Sequence, residues 1–306
     1  MQIRRDIRQA IRGGGAVVAL ESTLISHGMP YPENLRVARA MEEAVHAEGG
    51  APATVAILAG EPVIGLDEAQ LEYLAQAKGV RKCSRRDFPI VTAGKGDGAT
   101  TVCGTMFLAH SAGIRVFATG GIGGVHRGHP FDISADLDEL GRTPMIVVCS
   151  GAKALLDLEA TRERLETLGV TVLGYETDCL PAFYSRETGL SVDARVDSPA
   201  EIAAMALARD KLGLSASLLV AVPVPAADEL PRVEAEAAIA QALRLAEEKG
   251  VRGEAVTPFL LARVSELTSG RSMRANLSLL VNNARVGGRI ARALAVEQQR
   301  RRRVTV

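Results

Sequence analysis

Lys153 follows the apolar run Met145–Cys149 after the short connection Ser150-Gly151-Ala152, and its immediate neighbours carry no charge. The segment is expected to turn directly into a helix reaching about Leu168. A cation in the first turn of a helix opposes the helix dipole. Both conditions favour a neutral, nucleophilic amine. The plainer alternative is a lysine that reaches solvent or a phosphate. Glu21 stands at the end of another apolar run, Ala16–Leu20, and is a candidate acid or base. A capping or salt-bridged carboxylate is the plainer alternative there.

Other side chains have chemistry of a different kind. Asp132 and Asp136 flank Ser134. One carboxylate of this group can hold a hard divalent ion if waters and substrate oxygens complete the shell. Capping of the helix that follows, by Ser134 or Asp136, explains them equally well. Lys82, Arg85 and Arg86 carry charge suited to a phosphate, or form an ordinary solvated surface. His126 and Arg127 follow a glycine-rich turn and stand above background as site residues, whereas His46 and His110 read as structural.

These residues must be positioned by the elements around them. Short apolar runs at Ala16–Leu20, Ile114–Ala118, Met145–Cys149 and Leu218–Pro223 read as buried strands, and Ile90–Ala93 and Val170–Gly174 read as shorter ones. Ala53–Ala59 and Val63–Leu66 flank Gly60-Glu61-Pro62 as a hairpin. Helices are expected near residues 33–48, 100–112, 234–249 and 276–298, the last interrupted at Gly287-Gly288. Asp67 with Gln70, and Ser198-Pro199 with Glu201, are helix-start signatures. Ile25–Pro32 reads as a loop. Alternating strands and helices predict an α/β fold. The expected form is a three-layer α/β/α single domain over residues 1–306, with a largely parallel, mixed central sheet. Ligands of such sheets bind beyond the C-terminal strand ends, where Glu21, Thr119 and Ser150–Lys153 fall.

The stretch Gly94–Gly128 is dense in glycine and contains Thr119-Gly-Gly-Ile-Gly-Gly124, whose backbone N–H groups are expected to suit an anion. Its spacing matches neither a dinucleotide fingerprint nor a phosphate-binding lysine loop. Lys+Arg and Asp+Glu both number 36, so the net charge is zero and a general nucleic-acid binder is excluded. The run Arg300–Arg303 reads as a solvated tail. The four cysteines form no C-x-x-C pair, and Cys103 and Cys149 read as core residues. No apolar run has the length of a membrane span and the N-terminus is not a secretory signal, so a soluble cytoplasmic protein without membrane partners is expected.

Several longer motifs point further: Leu20-Glu-Ser-Thr23 with Ser26-His-Gly-Met-Pro30, Lys82-x-Ser-Arg-Arg-Asp87 and Gly94-Lys-Gly-Asp-Gly-Ala-Thr-Thr101. With them stand Thr119–Arg127, Phe131-Asp-Ile-Ser-Ala-Asp136, Ser150-Gly-Ala-Lys153 and Asn276-Leu-Ser-Leu-Leu. Together they resemble the pseudouridine-5'-phosphate glycosidase family, also called the indigoidine synthase A-like family, over about residues 5–297. The resemblance implies reversible cleavage of pseudouridine 5'-phosphate to uracil and ribose 5-phosphate. It also implies one divalent ion per subunit, usually Mn2+, and a homotrimer. In this sequence Lys153 matches the Schiff-base nucleophile, Glu21 the proton donor and Asp132 the metal ligand. Lys82, Val102, Ser134, Ala135 and Asp136 match substrate-binding positions, and Thr119, His126 and Asn276 match further pocket residues. Some members carry a fused sugar kinase, for which this chain has no room.

The implied chemistry agrees with the residue types. A C–C glycosidic bond has no heteroatom leaving group to protonate. An amine on the ring-opened sugar provides an electron sink as an iminium, and an acid protonates the departing carbon. Two rival readings remain open at this level: a Schiff-base lyase or aldolase acting on another sugar phosphate, and a non-catalytic sugar-phosphate sensor.

Overall fold

A computed structural model describes residues 1–251 and 256–304. The chain opens with strand β1 (Gln2–Ile3), helix α1 (Arg5–Arg12), β2 (Val17–Glu21), α2 (Thr23–His27) and α3 (Glu33–Ala47). The hairpin β3 (Ala51–Leu58) and β4 (Glu61–Ile64) precedes α4 (Glu68–Gln76), β5 (Arg81–Cys83), α5 (Phe88–Ala93), β6 (Gly98–Thr100) and α6 (Val102–Ser111). Next come β7 (Val116–Ala118), β8 (Val125–His126), β9 (His129–Ile133), α7 (Ala135–Arg142), β10 (Ile146–Cys149), β11 (Leu156–Asp157) and α8 (Leu158–Thr167). The chain closes with β12 (Thr171–Tyr175), β13 (Ala194–Val196), α9 (Pro199–Lys211), β14 (Leu218–Ala221), α10 (Arg232–Glu248), α11 (Val256–Leu267) and α12 (Arg271–Val304).

The main sheet runs β1-β4-β3-β2-β7-β10-β14-β12-β13, with β6 also paired to β3 and β5 to β6. From β3 to β13 every neighbouring pair is parallel, and only β4 and β6 run antiparallel to β3. The expected mixed, largely parallel sheet is therefore present. Its strands are hydrophobic on both faces, as burial on both sides requires. Alternation along them divides the core: Val18, Leu20, Val116, Ala118, Ile146 and Val148 join the cluster under α3, α9 and α12, and Val17, Ala19, Phe117, Val147 and Cys149 join the opposite one. That division is the expected three-layer arrangement. Leaving β2, the chain returns through α3 to β3 on one side, while β7 lies on the other. The crevice of a doubly wound sheet opens at such a reversal.

Local signals behave as their chemistry dictates. Asp67 and Gln70 form the reciprocal cap of α4, and Ser198 caps α9 ahead of Pro199. Three expectations are corrected. Ile90–Ala93 is helical, because Ser84 and Asp87 form a capping box and Pro89 occupies an N-terminal helix position. Part of the expected loop after Ser22 is the short helix α2. Gly287 and Gly288 do not interrupt α12, which is continuous. A Cβ on Gly287 would sit 3.1 Å from the Ala118 side chain, so the glycine allows the helix to lie close on the sheet. The arginine run is the helical end of α12, with Arg300 and Arg301 facing Glu297; the side chains of Arg302 and Arg303 lie outside the described residues. Cys103 and Cys149 are buried as expected, and burial pushes both thiols up to about 12.

Candidate active site

β2, β7 and β10 are adjacent parallel strands, so Glu21, Thr119 and Ser150 end side by side. Glu21 is buried, and the Thr119 hydroxyl donates to its Oε1. Desolvation raises the Glu21 carboxyl above its ordinary value. Lys153, the Thr119 hydrogen bond and Lys82 pull the other way, and the charge of Asp136 adds to the rise. The group is thus held toward its protonated form in the presence of two lysines. That list of neighbours also shows what the fold brings together, since Lys82 arrives on β5, Asp136 on α7 and Lys153 after β10.

Lys153 is half-buried and does not begin a helix. This corrects the dipole argument: the helix starts later, at α8, where Asp157 is the cap. Lys153 lies in a turn, with its N–H bonded to the Ile122 carbonyl at 3.0 Å and its own carbonyl accepting from Leu156 at 3.0 Å. The segment then enters a second, small sheet of order β11-β8-β9. Leu156 pairs with His126, and His126 pairs with His129. One small sheet therefore ties the lysine turn to both His126 and the strand bearing Asp132.

Asp136 organises the glycine-rich turn. Its two oxygens accept from the Cys103 N–H at 2.9 Å and the Gly123 N–H at 2.8 Å, clamping the start of α6 to that turn. A Cβ on Gly123 would lie 2.6 Å from Ser134 Cβ and 2.7 Å from Asp136 Oδ2, so only glycine fits this approach. The expectation of an open anion cradle at Thr119–Gly124 needs correction. The N–H groups of Thr119, Ile122 and Gly123 are already bonded to Val148, Gly151 and Asp136. Ser134 is the cap of α7, accepting from Asp136 N–H at 3.2 Å, while Ala135 is exposed beside it. Val102 is fully buried at the start of α6, where Thr101 is the cap.

Asp132 is exposed on β9, and its Oδ2 lies 3.9 Å from His126 Nδ1. Among the described residues no group of three or more His, Cys, Asp or Glu side chains could hold a metal. The donor set fits a hydrated divalent ion held by one carboxylate, and it does not fit a closed protein shell.

Asn276 is half-buried on α12, two turns before a residue the sequence reading missed. Asn283 is fully buried. Its amide donates to the Thr119 carbonyl at 2.9 Å and to Ser150 Oγ at 3.1 Å, joining the ends of β7 and β10. The available signal was a polar residue on the apolar helix face of Leu279, Leu280 and Ala284.

The chain is similar to several known proteins. The pattern defining indigoidine synthase A-like proteins matches residues 6–293. A pseudouridine-5'-phosphate glycosidase of Paracoccus denitrificans is 55% identical over 95% of this chain and 97% of its own. One from Solibacter usitatus is 52% identical over 95% and 98%. The crystal structure of the prealnumycin C-glycosynthase AlnA in complex with ribulose 5-phosphate superposes with a TM-score of 0.90 at 40% identity, covering 98% of each chain. An indigoidine synthase A-like protein from Thermotoga maritima superposes at 0.88, with 37% identity and 96% of each chain covered.

Proposed function

The chain belongs to the indigoidine synthase A-like family, and we propose from that premise that it is a pseudouridine-5'-phosphate glycosidase, cleaving its substrate to uracil and ribose 5-phosphate. The observation that carries this reading is the buried Glu21, bonded to Thr119 and acted on by the charges of Lys153 and Lys82. A C–C glycosidase needs a proton donor and an amine at one site, and we assign these to Glu21 at the end of β2 and Lys153 beyond β10, two strands flanking β7. A sugar-phosphate complex of a chain of the same fold supports the class of substrate.

The amine of Lys153 attacks C1 of the sugar as the ring C–O bond breaks, and the ring oxygen leaves as a hydroxyl, taking the proton that the nitrogen loses. The nitrogen lone pair then forms a C=N bond as the bond to the uracil carbon breaks, and Glu21 supplies the proton that this carbon gains. Water hydrolyses the iminium, which returns Lys153 and releases ribose 5-phosphate. Thr119 orients the Glu21 carboxyl, and Asp136 fixes the glycine-rich turn that follows Thr119. Lys82 carries a charge and His126 ring nitrogens suited to the phosphate, and Val102, Ser134, Ala135 and Asn276 are assigned to the substrate pocket. Asp132 would hold a divalent ion such as Mn2+, which would supply positive charge to substrate oxygens.

A homotrimer and a cytoplasmic location belong to the same reading. Phe131, 98% exposed on β9 close to Asp132, is an apolar side chain suited to burial against a second copy. Among the described residues no helix is long and apolar enough to cross a membrane. Incubation with pseudouridine 5'-phosphate and manganese tests the activity. Free uracil is expected; binding without uracil release would contradict it and leave a sensor. Turnover of ribose phosphates alone would point to an aldolase.

A further inference from the structure

Arg127 stands beside His126, and the chemistry above makes no use of it. Its side chain grips the stretch that follows the lysine. Nε donates to the Leu156 carbonyl at 3.0 Å, and Nη2 donates to the Ala154 carbonyl at 3.2 Å. Its other edge is occupied by Glu236 on α10, in a two-pronged contact of 2.7 and 3.0 Å. The guanidinium therefore joins three parts of the chain: the end of β8, the turn carrying Lys153, and a helix far away in sequence.

That turn is held at its far end by the pairing of β11 with β8 and by Arg127. It is not helical, so no ladder of helix hydrogen bonds fixes it. On its N-terminal side, Lys153 N–H is bonded to Ile122. On its C-terminal side, the carbonyls of Ala154 and Leu156 both end on Arg127. A planar guanidinium can serve two carbonyls and one carboxylate at once, and an ammonium has no such rigid fork. The pair is also mutually stabilised. Glu236 raises the Arg127 pKa, and Arg127 lowers that of Glu236.

We propose that Arg127, oriented by Glu236, is a positioning residue that holds the Lys153 turn and so aims the amine at the sugar carbon. The inference rests on the reading of Lys153 as the nucleophile. It also makes α10 part of the site's support, although that helix supplies no reacting group.

The test follows a step that involves the amine and not uracil. Protein is mixed with ribose 5-phosphate, quenched with borohydride at timed intervals, and the reduced adduct on Lys153 is measured by mass spectrometry. At saturating sugar phosphate, Arg127→Ala is expected to slow adduct formation about 10- to 100-fold, the scale of a misplaced reacting group. The sugar-phosphate concentration giving half-maximal rate should change little. Arg127→Lys restores the charge without the fork and is expected to recover only a small part of the loss; full recovery would show that charge alone matters and would overturn the proposal. Glu236→Gln, which leaves Arg127 in place, is expected to slow adduct formation to an intermediate degree. It carries the test if Arg127→Ala does not fold. Folded variants that form adduct as fast as the unmodified protein would overturn the proposal, even if they melt at lower temperature. If the unmodified protein forms no adduct while releasing uracil, the Lys153 reading falls and takes this inference with it. If it forms adduct and the variants match it, only the inference falls.

Discussion

The hydroxyl of Thr119 donates a hydrogen bond to the carboxyl of Glu21, joining the C-terminal ends of β7 and β2 across the sheet's crevice. Hydrogen bonding to a carboxylate favours its ionised form, whereas burial favours the protonated one. Burial is the larger influence here, so Glu21 holds its proton above the ordinary glutamate range.

The first prediction concerns pH. A donor must carry its proton, so uracil release should decline on the alkaline side as pH rises through the raised Glu21 value. Stability has the same sign. The folded state holds this proton more tightly than the unfolded state, so the contribution is complete below the unfolded pKa and is lost as pH rises through the folded one. Glu21→Gln should remove that decline, so that melting temperature falls less with rising pH than in the unmodified protein. The same variant should lose about 100- to 10,000-fold in uracil release.

Thr119→Val keeps the shape of the side chain and removes its donor. With less support for the ionised form, Glu21 should keep its proton to higher pH. The alkaline limb of the cleavage profile is expected to move upward. A limb that stays in place would show that the hydroxyl does not act on Glu21, and one that moves downward would show that it favours the protonated form.

Asp136→Asn leaves one acceptor oxygen for two N–H donors, those of Cys103 and Gly123. An unpaired buried donor costs about 1–3 kcal/mol. Thermal or denaturant unfolding should show a loss of that size, together with reduced uracil release.

Asp132 is exposed and engaged with His126 at 3.9 Å rather than with the core, so its replacement should be tolerated by the fold. Chelation of divalent ions is expected to suppress uracil release, and Asp132→Asn is expected to weaken the response to added manganese at unchanged melting temperature. Equal manganese response in both proteins would remove Asp132 as the ligand.

The layers of the fold were legible in the sequence because strands buried on both faces are continuous apolar runs, as Val17–Leu20 and Ile146–Cys149 show. The strand-end positions of Glu21 and Thr119 followed from those runs. Lys153 is legible at its strand end but not in its turn. The apolar periodicity of residues 155–168 extended the expected helix too far toward the strand, and the pairing of Leu156 with His126 is a long-range contact invisible to local pattern. The same limit hid Asn283, whose partners Thr119 and Ser150 lie far off in sequence. Gly287 was read as a break because local propensity opposes glycine within a helix, whereas close packing against Ala118 favours it. Asp136 stands out in the sequence by its spacing from Asp132 and Ser134, but its clamp on two backbone amides comes only with the fold.

Reduction of the protein with borohydride during turnover of pseudouridine 5'-phosphate, followed by peptide mass spectrometry, addresses the central claim most directly. The account predicts a reduced sugar-phosphate adduct on Lys153 and on no other lysine, Lys82 included, and predicts that Lys153→Ala releases no uracil. Uracil release by Lys153→Ala at the unmodified rate, or an adduct confined to another residue, would contradict it.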